Sequence, residues 1–331
     1  MQILIPLLAF IFLQSSAVGL ENYYAQEQEK SEAPHEKPWW LDRSGKWDIT
    51  TELDWTMGSF NPQIITMTGK ADTTTFFEEK YLLTYSIVGE IENITIEGYN
   101  EKDKDFWAIS LDSNRTPFTY VSGKENEGGT RMKLKDPFNV YSREEYFLNE
   151  DTFKSIGYMR ENEFMEITQI RKKGKPKNNL ESILKGPKKP KRVNKIKSKP
   201  DAAENYADEH EFMQILVGDF KTKDKQKVIS ARRVCGGRFI IASITEEKEK
   251  EDVLKTLLLI GFDNSRKVFQ MWNINNEDSP AYLEGTYIES IKTLSFKNPF
   301  QESEDEEEIQ FIFEKKKLSM LRIYSEDIPL K

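Results

Sequence analysis

Short apolar runs parted by turn residues dominate the chain. YLLTYSIVG from Tyr81, FWAISLD from Phe106, RFIIASIT from Arg238, VFQMWNI from Val268, EIQFIF from Glu308 and LSMLRIY from Leu318 are no longer than nine residues and are rich in Val, Ile, Thr and aromatics. Gly, Asn, Asp or charged turns separate them at about 8–15 residues, the spacing of antiparallel strands joined as a meander. In VFQMWNI, Val268, Gln270, Trp272 and Ile274 alternate with Phe269, Met271 and Asn273, so both faces carry large apolar side chains. A strand packed on both sides suits the wall of a barrel or sandwich with something inside it. Only residues 202–217, AAENYADEHEFMQILV, read as a helix, with Tyr206, His210, Met213 and Leu216 or Val217 on roughly one face.

The pattern occurs twice. The first half has SGKWDI around Gly45, TIEGYNEKDKDF around Gly98, VSGK at Gly123 and LKDPF ending at Phe138; the second has VGDFKT at Gly218, LLIGFDNSRKVF at Gly261, LEGT at Gly285 and FKNPF ending at Phe300. From the second glycine to the third is 25 residues in one half and 24 in the other, and to the phenylalanine 40 and 39. Two unrelated stretches rarely keep such spacing, so the chain reads as two copies of one unit of about 130 residues, each large enough for its own core.

The flanking segments differ in chemistry. Residues 3–13, ILIPLLAFIFL, form an apolar run too short to cross a bilayer and are followed by Ser15, Ala17 and Gly19, which predicts a cleaved signal peptide over 1–19, although the run has no preceding Lys or Arg. The expected location is therefore secreted or periplasmic, with no transmembrane segment. Residues 20–38 are polar and predict a disordered tether; the first unit is expected over 39–170 and the second over 201–331. Between them, 171–199 carries 13 Lys or Arg against one acid and little apolar content, so 171–200 reads as a basic linker. Removing its +12 from the net charge of -8 leaves -20 on the rest, so linker and units have opposite sign. The linker is as consistent with contact to an anionic surface as with a spacer drawn to the acidic units; the overall acid excess argues against specific nucleic-acid recognition. ESEDEEE at 302–308 reads as a solvated loop.

Gly45-Lys46-Trp47 resembles the Gly-x-Trp that opens the first strand of lipocalins, where the tryptophan closes one end of an up-and-down barrel; Gly218-Asp219-Phe220 is a weaker version. CGGRFIIAS at 235–243, GFDNSRKVFQMW at 261–272 and Gly285 resemble an exported bacterial family of unknown function with calycin-like domains. In the first unit GEI at 89–91 stands for the GGRF position, and Ile109 for Trp272, with Trp107 two residues earlier, as in a diverged copy. The resemblance implies an all-β chain of two tandem lipocalin/calycin-like antiparallel β-barrels joined by the basic linker. It brings no established activity.

The expected function is non-covalent binding of a small apolar or amphipathic ligand, at least in the second barrel; the alternative is a structural or interaction protein with filled barrels whose linker or surface recruits a partner. Trp272, Trp47 and Trp107 are candidate cavity walls, although such residues are more often simply core. Arg238, after two glycines, is either a buried guanidinium for an anionic ligand or the partner of an acid such as Asp263, and the second is favoured because buried charges need partners. Asp263 and Asn264 fit a tight turn. Asn93-Ile94-Thr95 and Asn114-Arg115-Thr116 have the form of glycosylation acceptors. Cys235, the single cysteine, reads as a small buried hydrophobe. With only His35 and His210, both outside the strand motifs, neither a His-rich metal cluster nor a haem-binding barrel is supported; no cofactor or metal site is expected, and no catalytic motif is found.

Overall fold

A computed structural model describes residues 39–54, 64–100, 102–126, 129–186, 208–222, 226–248, 251–276, 280–300, 308–315, 317–323 and 326–330. The expected signal peptide, the tether, residues 187–207 and most of the acidic run at 302–308 lie outside them. The described chain is almost entirely β. Its first ten strands are β1 (Gly45–Asp54), β2 (Ile64–Phe76), β3 (Tyr81–Val88), β4 (Ile91–Asn100), β5 (Asp105–Asp112), β6 (Arg115–Glu125), β7 (Arg131–Lys135), β8 (Tyr141–Asn149), β9 (Thr152–Met159) and β10 (Asn162–Lys172). Each pairs antiparallel with the next, and β10 returns to β1 to close a barrel. The second ten are β11 (Gly218–Lys221), β12 (Lys227–Val234), β13 (Phe239–Lys248), β14 (Glu251–Asp263), β15 (Val268–Asn275), β16 (Ala281–Ile288), β17 (Thr293–Lys297), β18 (Glu308–Glu314), β19 (Lys317–Ile323) and β20 (Glu326–Pro329). They repeat the meander, but among the described residues the ends of this curled sheet meet through a single bridge between Thr222 and Leu330. Among the described residues no helix is long and apolar enough to cross a membrane.

The repeat holds strand for strand. Gly98 pairs with Trp107 as Gly261 pairs with Gln270, Phe106 with Gly123 as Phe269 with Gly285, and Phe138 and Phe300 sit in equivalent turns after β7 and β17. Both phenylalanines are held outward, 84% and 83% exposed, by turns in which Asp136 and Asn298 accept the Phe amide. One expected correspondence changes. The counterpart of the turn at 235–238 is 77–80, not GEI at 89–91. Phe77, Glu78 and Glu79 take φ of 50, 55 and 67°, as Cys235, Gly236 and Gly237 take 51, 65 and 86°, and the amides of Lys80 and Arg238 close the two turns on Phe77 and Cys235. The first unit holds three left-handed residues without glycine, which hid the match in the sequence.

The linker also starts later than expected. Arg171 and Lys172 end β10, and Leu180, Ile183 and Leu184 lie in α1 (Leu180–Leu184), with Leu180 buried and the other two half-buried. Asn179 caps α1 by accepting from the Ser182 amide at 2.8 Å, while Ser182 Oγ accepts from the Asn179 amide, a reciprocal capping box. Upstream, Asn178 donates twice to Asp72 of β2. The expected helix at 202–217 is described from α2 (Asp208–Phe212), followed by the 3-10 turn Met213–Leu216, which closes the floor of the second unit as the 3-10 turn Trp39–Arg43 closes that of the first.

Strands apolar on both faces have a simple cause: one face looks into its own unit and the other packs against the sister unit. Tyr81, Leu83, Ile94, Ile96, Trp107, Ile109 and Leu111 from the outside of β3–β5 form one buried cluster with Phe239, Ile241, Leu257, Leu259, Trp272 and Ile274 from β13–β15, and α1 adds Leu180. The contact is reciprocal. Lys80, just before β3, donates to the carbonyl of Asn276, just after β15, and Arg238, just before β13, donates from Nε to that of Ser113, just after β5, at 2.7 Å.

Candidate functional site

The sequence-derived candidates divide between the floor of the first barrel and the seam between the units. Trp47 lies on the floor, 1% exposed, its Nε1 donating to Arg43 O at 2.8 Å. Arg171 lies over its ring, 4.4 Å from the centroid, and donates to the carbonyls of Ser44 and Asp42, clamping the 3-10 turn against the end of β10. Trp272 and Trp107 lie in the seam rather than inside either unit: Trp272 stacks on Tyr120 of β6 at 4.7 Å and 20°, and Trp107 packs on Tyr81 at 5.3 Å. Arg238 is a seam residue as well, bonded to Ser113 and not to Asp263. Asp263 Oδ1 instead accepts from the amides of Ser265 and Arg266 within its own turn. Cys235 is fully buried, its Sγ donating to Leu111 O at 3.6 Å, and burial pushes its thiol well above the usual range. Asn114 is exposed on the turn after β5, whereas Asn93 Oδ1 accepts from Thr95 Oγ1 on the inner face of β4. His210 is fully buried edge-on to Phe262, part of the second unit's cap.

What the sequence reading missed is a ring of four buried charges inside the first barrel. Arg43 Nη1 reaches Glu97 Oε2 at 2.7 Å and Glu145 Oε2 at 3.4 Å; Arg143 Nη2 reaches Glu97 Oε1 at 2.9 Å, and its Nε lies 3.0 Å from Glu145 Oε1. The ring ties the floor turn to β4 and β8, and Arg43 also covers the Phe153 ring at 4.2 Å. Burial pushes the Glu145 carboxyl up against the opposing pull of Arg143. Burial works against the charge on Arg143, but Glu145 and Glu97 overcome it and hold the guanidinium above its usual range. The arrangement is under-satisfied: Arg43 Nε and Arg143 Nε make no hydrogen bond among the described residues.

Register matching gives the second unit's residue at every one of these positions. Leu82 pairs with Glu97 as Ile240 pairs with Ile260; Leu134 with Arg143 as Phe296 with Ile309; Met132 with Glu145 as Leu294 with Phe311. Arg43 stands four residues before Trp47 as Leu216 stands four before Phe220. The charged ring of the first unit is thus Leu216, Ile260, Ile309 and Phe311 in the second, all in its apolar core. Above the ring the contrast continues. Thr84, Ser86, Thr95, Ser155 and Gly157 of the first barrel face positions held by Ala242, Ile244, Leu258, Leu321 and Ile323 in the second. Leu53, Ile65, Met67, Met165 and Ile167 form the facing wall of the first barrel and are only half-buried although they point to its axis, as are Thr95, Ser110 and Thr119. Among the described residues, the interior of the first barrel is therefore less closed toward the end away from Trp47, with hydroxyls on one wall, Ile, Leu and Met on the other, and charge beneath.

No known protein family matches the chain, and no curated protein matches it by sequence.

Proposed function

We propose that the protein binds a small amphipathic molecule, non-covalently, inside its first barrel, and that the second unit is a filled barrel that braces it. The observation that carries the reading is the paired comparison within one chain: on equivalent strands, interior positions that are Ala, Ile, Leu or Phe in the second unit are Ser, Thr, Gly, Glu or Arg in the first, beside a half-buried apolar lining. A protein gains no stability from a buried charge ring that apolar residues replace elsewhere on the same scaffold. The proposal keeps the expected ligand class and assigns its site to the first unit. In the same proposal the chain is exported, on the apolar run at 3–13, and is lipocalin-like, a reading supported by Trp47 on the barrel floor beneath the Arg171 guanidinium.

The test uses the full chain and dansyl-undecanoic acid, read by its fluorescence. The expected result is one saturable site, abolished by Ser86→Ile with Thr95→Leu, which install the second unit's residues. No saturable binding, or binding that the double variant leaves unchanged, overturns the proposal.

A further inference from the structure

Resting on that reading, we infer that the ligand carries a single carboxylate, which docks on Arg143 at the base of the first barrel's lumen. Arg143 is the most exposed member of the charged ring: its side chain retains 13% exposure, against 5% for Arg43, 6% for Glu97 and 3% for Glu145. It also stands nearer the open end than Glu145, because β8 descends from its turn with β7 toward the floor and reaches Arg143 first. Two of its nitrogens face the ring; Nη1 has no hydrogen-bond partner among the described residues. Its neighbour on β9 is Gly157, whose missing side chain leaves room that Met165 and Phe164 fill, so an apolar edge borders the guanidinium.

The surroundings favour an anion over a cation. Each carboxylate of the ring already meets both arginines, whereas Arg143 Nη1 and the Nε atoms of Arg143 and Arg43 are donors without aligned acceptors. A guanidinium fork matches a carboxylate in plane and spacing. The apolar wall of Ile65, Met67 and Met165 then receives the tail. One acceptor for one unpaired nitrogen sets the charge at one, since a second negative charge would be buried beside Glu97 and Glu145 without a partner.

The test is calorimetric titration of the full chain with decanoate, 1-decanol and decyltrimethylammonium, which share a tail and differ in the head. The inference expects decanoate to bind at least about tenfold tighter than decanol and the cation to bind weakest. The paired variant Arg143→Ile with Glu145→Phe removes one charge of each sign and copies the second unit; it is expected to bring the decanoate-to-decanol ratio near one. Decanol or the cation binding as well as decanoate overturns the carboxylate and leaves the binding proposal standing, as does a paired variant that keeps the preference. Failure of all three compounds to bind overturns both.

Discussion

The charged ring makes a sharp prediction because the second unit supplies its apolar counterpart. Arg43→Leu leaves Glu97 and Glu145 sharing Arg143 alone, and the bonds at 2.7 and 3.4 Å disappear. Breaking a buried ion pair from one side costs about 3–5 kcal/mol, because the orphaned charge stays desolvated. Replacing all four residues by the second unit's set, Arg43→Leu, Glu97→Ile, Arg143→Ile and Glu145→Phe, removes every charge at once, and such replacements range from neutral to stabilising by about 1–4 kcal/mol. Imperfect packing around Ser155 and Gly157 offsets part of that gain, so the quadruple variant should lie within about 2 kcal/mol of the parent, far from the sum of four single losses. Urea unfolding followed by far-ultraviolet circular dichroism reads both. The pH dependence has a definite sign: a carboxyl whose folded pKa is raised costs stability above that value, and the cost vanishes as pH falls below its unfolded value of 4.5. The Arg43→Leu deficit should therefore be larger at pH 7 than at pH 4, fading as the pH falls. A single variant losing less than about 1 kcal/mol, or a quadruple variant as damaged as the summed singles, would refute the claim that charge rather than shape distinguishes the two interiors.

Three further outcomes test the seam. Gly98→Ala and Gly261→Ala each put a methyl group into an aromatic ring, 2.4 Å from Trp107 in one and 2.7 Å from Phe239 in the other, and each should cost about 1–3 kcal/mol in urea unfolding; a silent variant at either would mean that the rings there are loosely seated. Tyr85, packed in the seam, has its pKa pushed up to about 12 by burial and then by Glu92, so its neutral form is favoured in the fold and stability is lost as pH rises from 10 through 12. Melting temperatures at pH 9 and 11.5 should fall less for Tyr85→Phe than for the parent, and equal falls would count against burial as the cause. Trp272→Ala removes the ring stacked on Tyr120 and should cost about 3–5 kcal/mol while exposing the seam to limited proteolysis; an unchanged digest would place the bond between the units elsewhere.

The fold was legible because strand alternation and turn glycines are local signals. Gly98 with Gly261, and Gly123 with Gly285, marked equivalent strands, and the structure keeps those equivalences. The site was less legible for a physical reason. A residue that faces a neighbour unit and one that faces a lumen look alike in sequence, so Trp107 and Trp272 read as cavity walls and proved to be seam. The ring of Arg43, Glu97, Arg143 and Glu145 is spread over a hundred residues and has no local pattern. A signal did exist: aligning the two halves by strand register sets Glu97 against Ile260, and Arg143 with Glu145 against Ile309 with Phe311. Reading it required the correct turn correspondence, and three left-handed residues without glycine at Phe77, Glu78 and Glu79 concealed that.

The seam also explains how one barrel can keep a polar interior. A lone barrel of this size must draw its stability from inward-facing side chains, and a hydroxyl and charge lining would leave it little. Here β3–β6 bury their outward faces against β13–β15, so the first barrel shares a core that lies outside its own wall. The second barrel contributes twice, through that seam and through an interior filled by Ile, Leu and Phe. Duplication thus separates two demands that conflict within a single unit: one copy supplies apolar packing, and the other is free to hold unsatisfied polar groups at its centre. If this division is right, loosening the seam should reach the lumen. Trp272 packs on Tyr120 and Tyr282, not on the charged ring, yet Trp272→Ala should weaken dansyl-undecanoic acid binding as well as fold stability. A variant that loses stability but binds with unchanged affinity would mean that the first barrel holds its shape alone.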